Sequence, residues 1–181
     1  MMALMGMGIT TQAQTDVTSL LANPSFEQDA TSGLSQVTNP NDGLRGWTLT
    51  NPTGWTVSGT AVTELLVSKD CYADNNFGKI TTIPDGSYAY YLRQGWSGGT
   101  TSVRQSVTLE EGVYQMSVRQ RTGYANSATS TLTIVAGDDA QAISFDQGST
   151  GFFTTKAWTT STMEFGVKEA TTLSLGFDIR G

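Results

Sequence analysis

The chain has 181 residues, enough for one domain with a sizeable core, and only 14% of them are charged against 38% hydrophobic. Its polar surface must therefore come from Thr, Ser, Asn, Gln and Gly, a mix that favours strands and loops over helices. The net charge of -6 argues against a nucleic-acid partner or a basic membrane-surface patch. The absence of histidine removes Ser-His-Asp and Cys-His catalysis and His-ligated zinc or copper, and the lone Cys71 permits no internal disulfide.

In chain order, residues 1–16 read as a signal-peptide remnant or a disordered tail. Met1 to Ile9 is apolar, and Thr11-Gln12-Ala13 resembles a small-x-small cleavage site, so export is the expected fate. No stretch reaches about 18 consecutive apolar residues, so no membrane-spanning helix is expected. Residues 17–181 form the expected domain. Leu20 and Leu21 open a first strand over 18–23, and Asn23-Pro24-Ser25 breaks it with turn chemistry. Further strands are expected over 46–50, 60–67, 87–93, 101–109, 112–122, 128–136, 141–146, 157–167 and 171–179.

The signal for these strands is alternation of period two. Tyr114, Met116 and Val118 share one face, with Gln115, Ser117, Arg119 and Arg121 on the other. Met163, Phe165 and Val167 repeat the pattern, as do Leu173, Leu175, Phe177 and Ile179. Turns are expected at Asn39-Pro40-Asn41-Asp42-Gly43, Pro84-Asp85-Gly86, Gly98-Gly99 and Gly137-Asp138-Asp139, with Glu110-Glu111-Gly112 as a short hairpin connection. No segment keeps a helical apolar period over about 12 residues. The expected fold is an all-β, two-sheet antiparallel β-sandwich.

Five short motifs occur in order: Asn23-Pro24-Ser25-Phe26-Glu27, Gly46-Trp47, Asp85-Gly86-Ser87-Tyr88-Ala89, Val103-Arg104-Gln105-Ser106-Val107 and Gly112-Val113-Tyr114. The series resembles the galactose-binding-like jelly-roll carbohydrate-binding modules over residues 18 to 181. The resemblance implies a non-catalytic module that tethers a secreted or surface protein to glycan. It also implies that Phe26 dips into the core and that Glu27 aims its carboxylate at backbone donors or at a structural calcium. A late Asp-Asp or Asp-Asn strand would complete such a calcium site. The chain stops at Phe177-Asp178-Ile179-Arg180-Gly181, so a last strand is expected to be missing, leaving an open sheet edge.

Sugars are bound by aromatic faces that stack on C–H surfaces and by planar amide, carboxylate and guanidinium groups that satisfy hydroxyls. Trp96, among small and polar neighbours, Tyr72 in a long polar loop, Tyr124 after Gly123, and Trp55 in Asn51-Pro52-Thr53-Gly54-Trp55 are the aromatic candidates. For Trp55, core packing is an equal alternative. Arg119 and Arg121, two apart on one strand face, are the polar candidates for hydroxyls or a uronate carboxylate, with a solvated strand face as the alternative; Arg93 and Arg104 come second. Trp47 and Trp158 read as packing residues.

Paired carboxylates would hydrolyse a glycoside if about 5 to 9.5 Å apart across a cleft, but Glu110-Glu111 and Asp138-Asp139 fall in turns. The expected partner is therefore an oligo- or polysaccharide, together with neighbouring domains of a larger protein. A structural or adhesion domain making protein contacts without sugar is one alternative. A small glycoside-active enzyme is the other.

Overall fold

The computed structural model describes residues 15–29, 33–38, 45–69, 71, 80–94, 97–121, 130–144 and 157–181. Residues 1–14 and the turn expected at 39–43 lie outside them. Within them the chain forms eleven strands and two single 3-10 turns, Thr18–Leu20 and Glu27–Asp29. The strands are β1 (Gln36–Thr38), β2 (Arg45–Thr48), β3 (Thr56–Gly59), β4 (Ala61–Ser68), β5 (Tyr88–Gln94) and β6 (Thr100–Leu109). There follow β7 (Gly112–Gln120), β8 (Thr131–Ala136), β9 (Asp139–Ser144), β10 (Thr159–Val167) and β11 (Thr171–Arg180). Every pairing is antiparallel.

One layer is a five-stranded sheet in the order β3-β6-β11-β8-β9. The other layer is divided, among the described residues, into a four-stranded sheet β1-β2-β4-β5 and a two-stranded ribbon of β7 and β10. The core between the ribbon and the five-stranded sheet follows from the alternation. Val107 and Leu109, Leu132, Ile134 and Ala136, and Leu175 point inward from one side. Met163, Phe165 and Val167 meet them from the ribbon, with Tyr114, Met116 and Val118 packed alongside. Tyr114 stacks on Phe165 with ring centroids 5.7 Å apart. A second cluster, Leu65, Val67, Cys71 and Ile80 with Ile83, Ala89 and Tyr91, covers one face of β4 and β5.

Strand β11 lies at the centre of its sheet and is hydrogen-bonded along both sides, to β6 and to β8. The edges of that sheet are β3 and β9.

The opening segment differs from the expected strand over 18–23. Leu20 is 50% exposed at the end of a 3-10 turn, and only Leu21 of the pair packs on the core. Its backbone joins the sandwich through a side chain instead. Gln105, 8% exposed on the inner face of β6, accepts the Ala22 N–H at 2.9 Å and donates to the Ala22 carbonyl at 3.3 Å. A buried amide that satisfies both backbone groups of one residue stands in for a strand partner.

Replacing Gln105 with Ala leaves those two backbone groups without partners and opens a void on the inner face of β6. Chemical denaturation should show a loss of about 1–3 kcal/mol with an unchanged denaturant slope.

Candidate functional site

The turn that follows Ala22 fixes the region around the site. Asn23 is 2% exposed and engages its side-chain oxygen, its side-chain amide and its carbonyl. Its side-chain oxygen accepts the Gln28 N–H at 3.0 Å, its amide donates to Asp29, and its carbonyl accepts the buried Trp55 indole N–H at 3.1 Å. Asp29 in turn accepts from the backbone and hydroxyl of Thr53. Asn23 and Phe26 both adopt positive φ, 48° and 63°. For Phe26 this conformation costs energy. The cost is offset because it places the ring between Trp55 and Tyr90, at centroid distances of 5.8 and 5.2 Å. Trp55 is thus a core residue, 7% exposed, and presents no ring face to a ligand.

Glu27 completes the turn. Its Oε1 accepts the N–H groups of Ser87 and Tyr88, each at 2.8 Å. The approach is possible because Gly86 has no side chain and holds φ at +75°; a Cβ there would lie 2.3 Å from the same oxygen. The first and third sequence motifs are therefore two halves of one clasp. The other two acids in question are also engaged: Asp29 with Asn23 and Thr53, and Asp178 with Arg104 in an ion pair. Among the described residues no group of three or more Asp, Glu, His or Cys gathers to hold a metal.

Ser87 ends a segment, residues 80–87, that straps the divided layer together and leads into Tyr88 at the start of β5. Ile80 and Ile83 pack on the cluster formed by Leu65, Val67 and Cys71, and the Ile80 N–H donates to the Cys71 carbonyl. From the ribbon, Arg119 donates through Nη1 to the Pro84 carbonyl at 3.0 Å, and the Trp158 indole N–H donates to the Thr82 carbonyl at 2.8 Å. Thr159 pairs with Gln120 and Thr160 with Arg119, so Trp158 falls opposite Arg121, one step beyond the last paired residues. Strand parity puts Trp158, Thr160, Arg119 and Arg121 on the outward face, since Met163, Phe165 and Val118 face the core.

The result is a surface group of one partly exposed indole and two guanidinium groups, beside the exposed residues Thr81, Thr82 and Asp85. Arg119 is exposed, while Arg121 is half-buried, and burial lowers its pKa from the ordinary arginine value. With its N–H satisfied by a carbonyl, the indole is fixed in orientation and keeps its ring for contact.

The structure thus brings Arg119 and Arg121 together and adds Trp158, which sequence reading assigned to packing. Its signal was available: residues 158, 160, 162 and 164 have the parity opposite to Met163, Phe165 and Val167. Trp96, Tyr72 and Tyr124 lie outside the described residues. Their flanks are informative. Cys71 follows the Ser68 end of β4, whereas Gln94 ends β5 opposite Ala61, so these flanks sit at opposite ends of the β4–β5 pair. Arg93 lies on β5, and Arg104 is engaged by Asp178 on the outer face of the five-stranded sheet.

Together these features define an all-β, two-layered antiparallel sandwich domain. No protein-family model matches the chain, and no curated protein matches it in sequence. Among solved structures, the chain is similar to one described as TmCBM61 in complex with beta-1,4-galactotriose. The identity is 16% and the TM-score 0.45, over 74% of this chain and 87% of that one.

Beside the clasp lies a hydrogen-bonded pair whose phenol is shifted. The Tyr90 hydroxyl donates to Glu64 Oε2 at 2.7 Å. Burial pushes the Tyr90 phenol far above its ordinary value of 10.0, and the hydrogen bond and charge of Glu64 push it further. The folded pKa is raised, so this contribution is fully present below the unfolded value near 10 and is lost as pH rises beyond it. Denaturation at a series of alkaline pH values should show stability falling more steeply in the wild type than in Tyr90→Phe. Parallel curves for the two proteins would contradict the assignment.

Proposed function

We propose that the protein is a non-catalytic carbohydrate-binding domain of a secreted or surface protein, and that the outward end of the β7–β10 ribbon contacts the glycan. One observation carries this reading: Trp158 presents a partly exposed indole, oriented by the Thr82 carbonyl, beside Arg119 and Arg121. An aromatic platform with adjacent planar donors is the arrangement that sugar C–H faces and hydroxyls require. The order of the five sequence motifs supports the same reading. So does the strand scaffold, which holds both arginines at fixed spacing. Tyr72 and Tyr124, which follow Cys71 and Arg121 in the chain, are proposed as further aromatic contacts there, and Trp96, which follows the Gln94 end of β5, as a separate contact. Affinity at such a shallow site falls in the millimolar to micromolar range, roughly -4 to -8 kcal/mol.

The sequence-adjacent acids Glu110-Glu111 and Asp138-Asp139 stand at the β6–β7 and β8–β9 turns, away from the indole and guanidinium groups in the chain's register.

The structural or adhesion reading has one observation in its favour. Val113 is 83% exposed in a shallow depression of about 510 Å³ lined also by Glu111, Asp139, Gly166 and Lys168. An exposed aliphatic side chain on a sheet edge suits a protein contact.

A glycan array with the folded protein, with calcium and with chelator, separates these readings. Binding to one glycan class, reduced about tenfold by Trp158→Ala and also by Arg121→Ala, is the expected result, and unchanged signal in chelator is expected from the clasped Glu27. No binding to any glycan, with a specific protein partner lost in Val113→Asp, would establish the adhesion reading instead.

A further inference from the structure

Four separate contacts converge on residues 80–88. Ile80 and Ile83 anchor the segment to the four-stranded sheet. The carbonyls of Thr82 and Pro84 receive Trp158 and Arg119 from the ribbon. The N–H groups of Ser87 and Tyr88 are held by Glu27 from the opening turn. Only two residues, Asp85 and Gly86, separate Pro84 from Ser87, and both Pro84 and Ser87 sit in one bend that turns at Gly86.

We propose that Glu27 is a positioning residue for the binding surface, acting through this strap and without a metal. Its single oxygen fixes two consecutive N–H groups at the start of β5. That fixes the path of the bend immediately before them. The Thr82 and Pro84 carbonyls lie on that path, and they set the orientation of the Trp158 indole and the Arg119 guanidinium. Removing the carboxylate frees the bend at Gly86, the residue with the widest backbone freedom. The carbonyls then no longer hold one position. The indole and the guanidinium lose their shared geometry, although neither touches Glu27.

The chemistry distinguishes this role from ion binding. A calcium site draws much of its affinity from carboxylate charge, whereas an acceptor for two N–H groups still works with a neutral oxygen. Glutamine keeps that oxygen. Glu27→Gln should therefore behave much like wild type, and Glu27→Ala should not. The part of this inference that concerns ligand binding rests on the sugar-binding reading above; the coupling between Glu27 and Trp158 does not.

The test uses the full chain and two structural readouts without ligand. The first is the Trp158 indole N–H resonance, assigned by its loss in Trp158→Phe. The second is amide hydrogen exchange over residues 81–88. Glu27→Ala should shift the Trp158 resonance and speed exchange over 81–88 by about tenfold or more, with amides of β6 and β11 unchanged. Glu27→Gln should restore both, and neither should respond to calcium or chelator. If Glu27→Ala does not fold, Trp158→Phe and Arg119→Lys test the same strap from its other side. Faster exchange over 81–86 in each supports the assignment.

A Trp158 resonance and exchange pattern unchanged in folded Glu27→Ala would overturn the proposal. So would failure of Glu27→Gln to restore what Glu27→Ala loses. Coupling observed in a protein that binds no glycan would sink the sugar reading and leave the positioning role standing.

Discussion

The two hydrogen bonds that the Glu27 carboxylate accepts from Ser87 and Tyr88 join parts of the chain sixty residues apart, and much of the second layer is organised around them. Hydrogen bonds to a charged acceptor are worth about 1.5–3 kcal/mol, more than ordinary backbone bonds. They also require two unusual backbones. Gly86 must hold a positive φ with nothing at the Cβ position, and Phe26, the residue before Glu27, must adopt a conformation that a bulky side chain resists. The ring of Phe26 recovers that cost against Trp55 and Tyr90. Asn23 closes the turn from within by satisfying Gln28, Asp29 and the Trp55 indole at once. Gly54 packs so tightly on this turn that a Cβ there would lie 2.4 Å from Ala22 Cβ.

From this clasp the rest follows in order. Gln105 secures the segment just before the turn to the five-stranded sheet. The strap of residues 80–87, just before β5, secures the four-stranded sheet to the ribbon. The second layer is not a continuous sheet among the described residues, so side chains on backbone carbonyls do the joining that a strand ladder would otherwise provide. Arg119 and Trp158 serve that joining and also face outward, which is why structure and proposed function meet at the same place.

Much of the fold was legible because it rests on alternation. Strands β6 to β8, β10 and β11 fall within a few residues of the expected spans, since apolar or aromatic side chains recur at every second position over much of each, and β2, β4, β5 and β9 also lie close to expected spans. Strands β1 and β3 were not expected: Gln36-Val37-Thr38 and Thr56-Val57-Ser58-Gly59 are short, mostly exposed edge strands with a single apolar residue each. The opening was misread as a strand because Leu20-Leu21 is apolar, although only Leu21 finds the core. Tertiary contacts decided the aromatic residues. Trp55 sits among polar neighbours yet is buried, because the cavity that receives it is built by Asn23 and Phe26 from another part of the chain. That Trp158 faces outward follows from parity alone, once the inward set at 163, 165 and 167 is taken as fixed. That Glu27 faces backbone donors was one of two readings the motif allowed, and only the approach of Gly86 distinguishes them.

Native-state hydrogen exchange at the amides of Gln28, Ser87 and Tyr88 tests the central claim most directly. They belong to a turn and a strand start, where amides ordinarily exchange fast. As members of the clasp they should be protected nearly as well as the amides of β6 and β11, and lose protection together as denaturant is added. Exchange of these three amides at loop rates, or independently of one another, would contradict the view that the clasp holds the layer together.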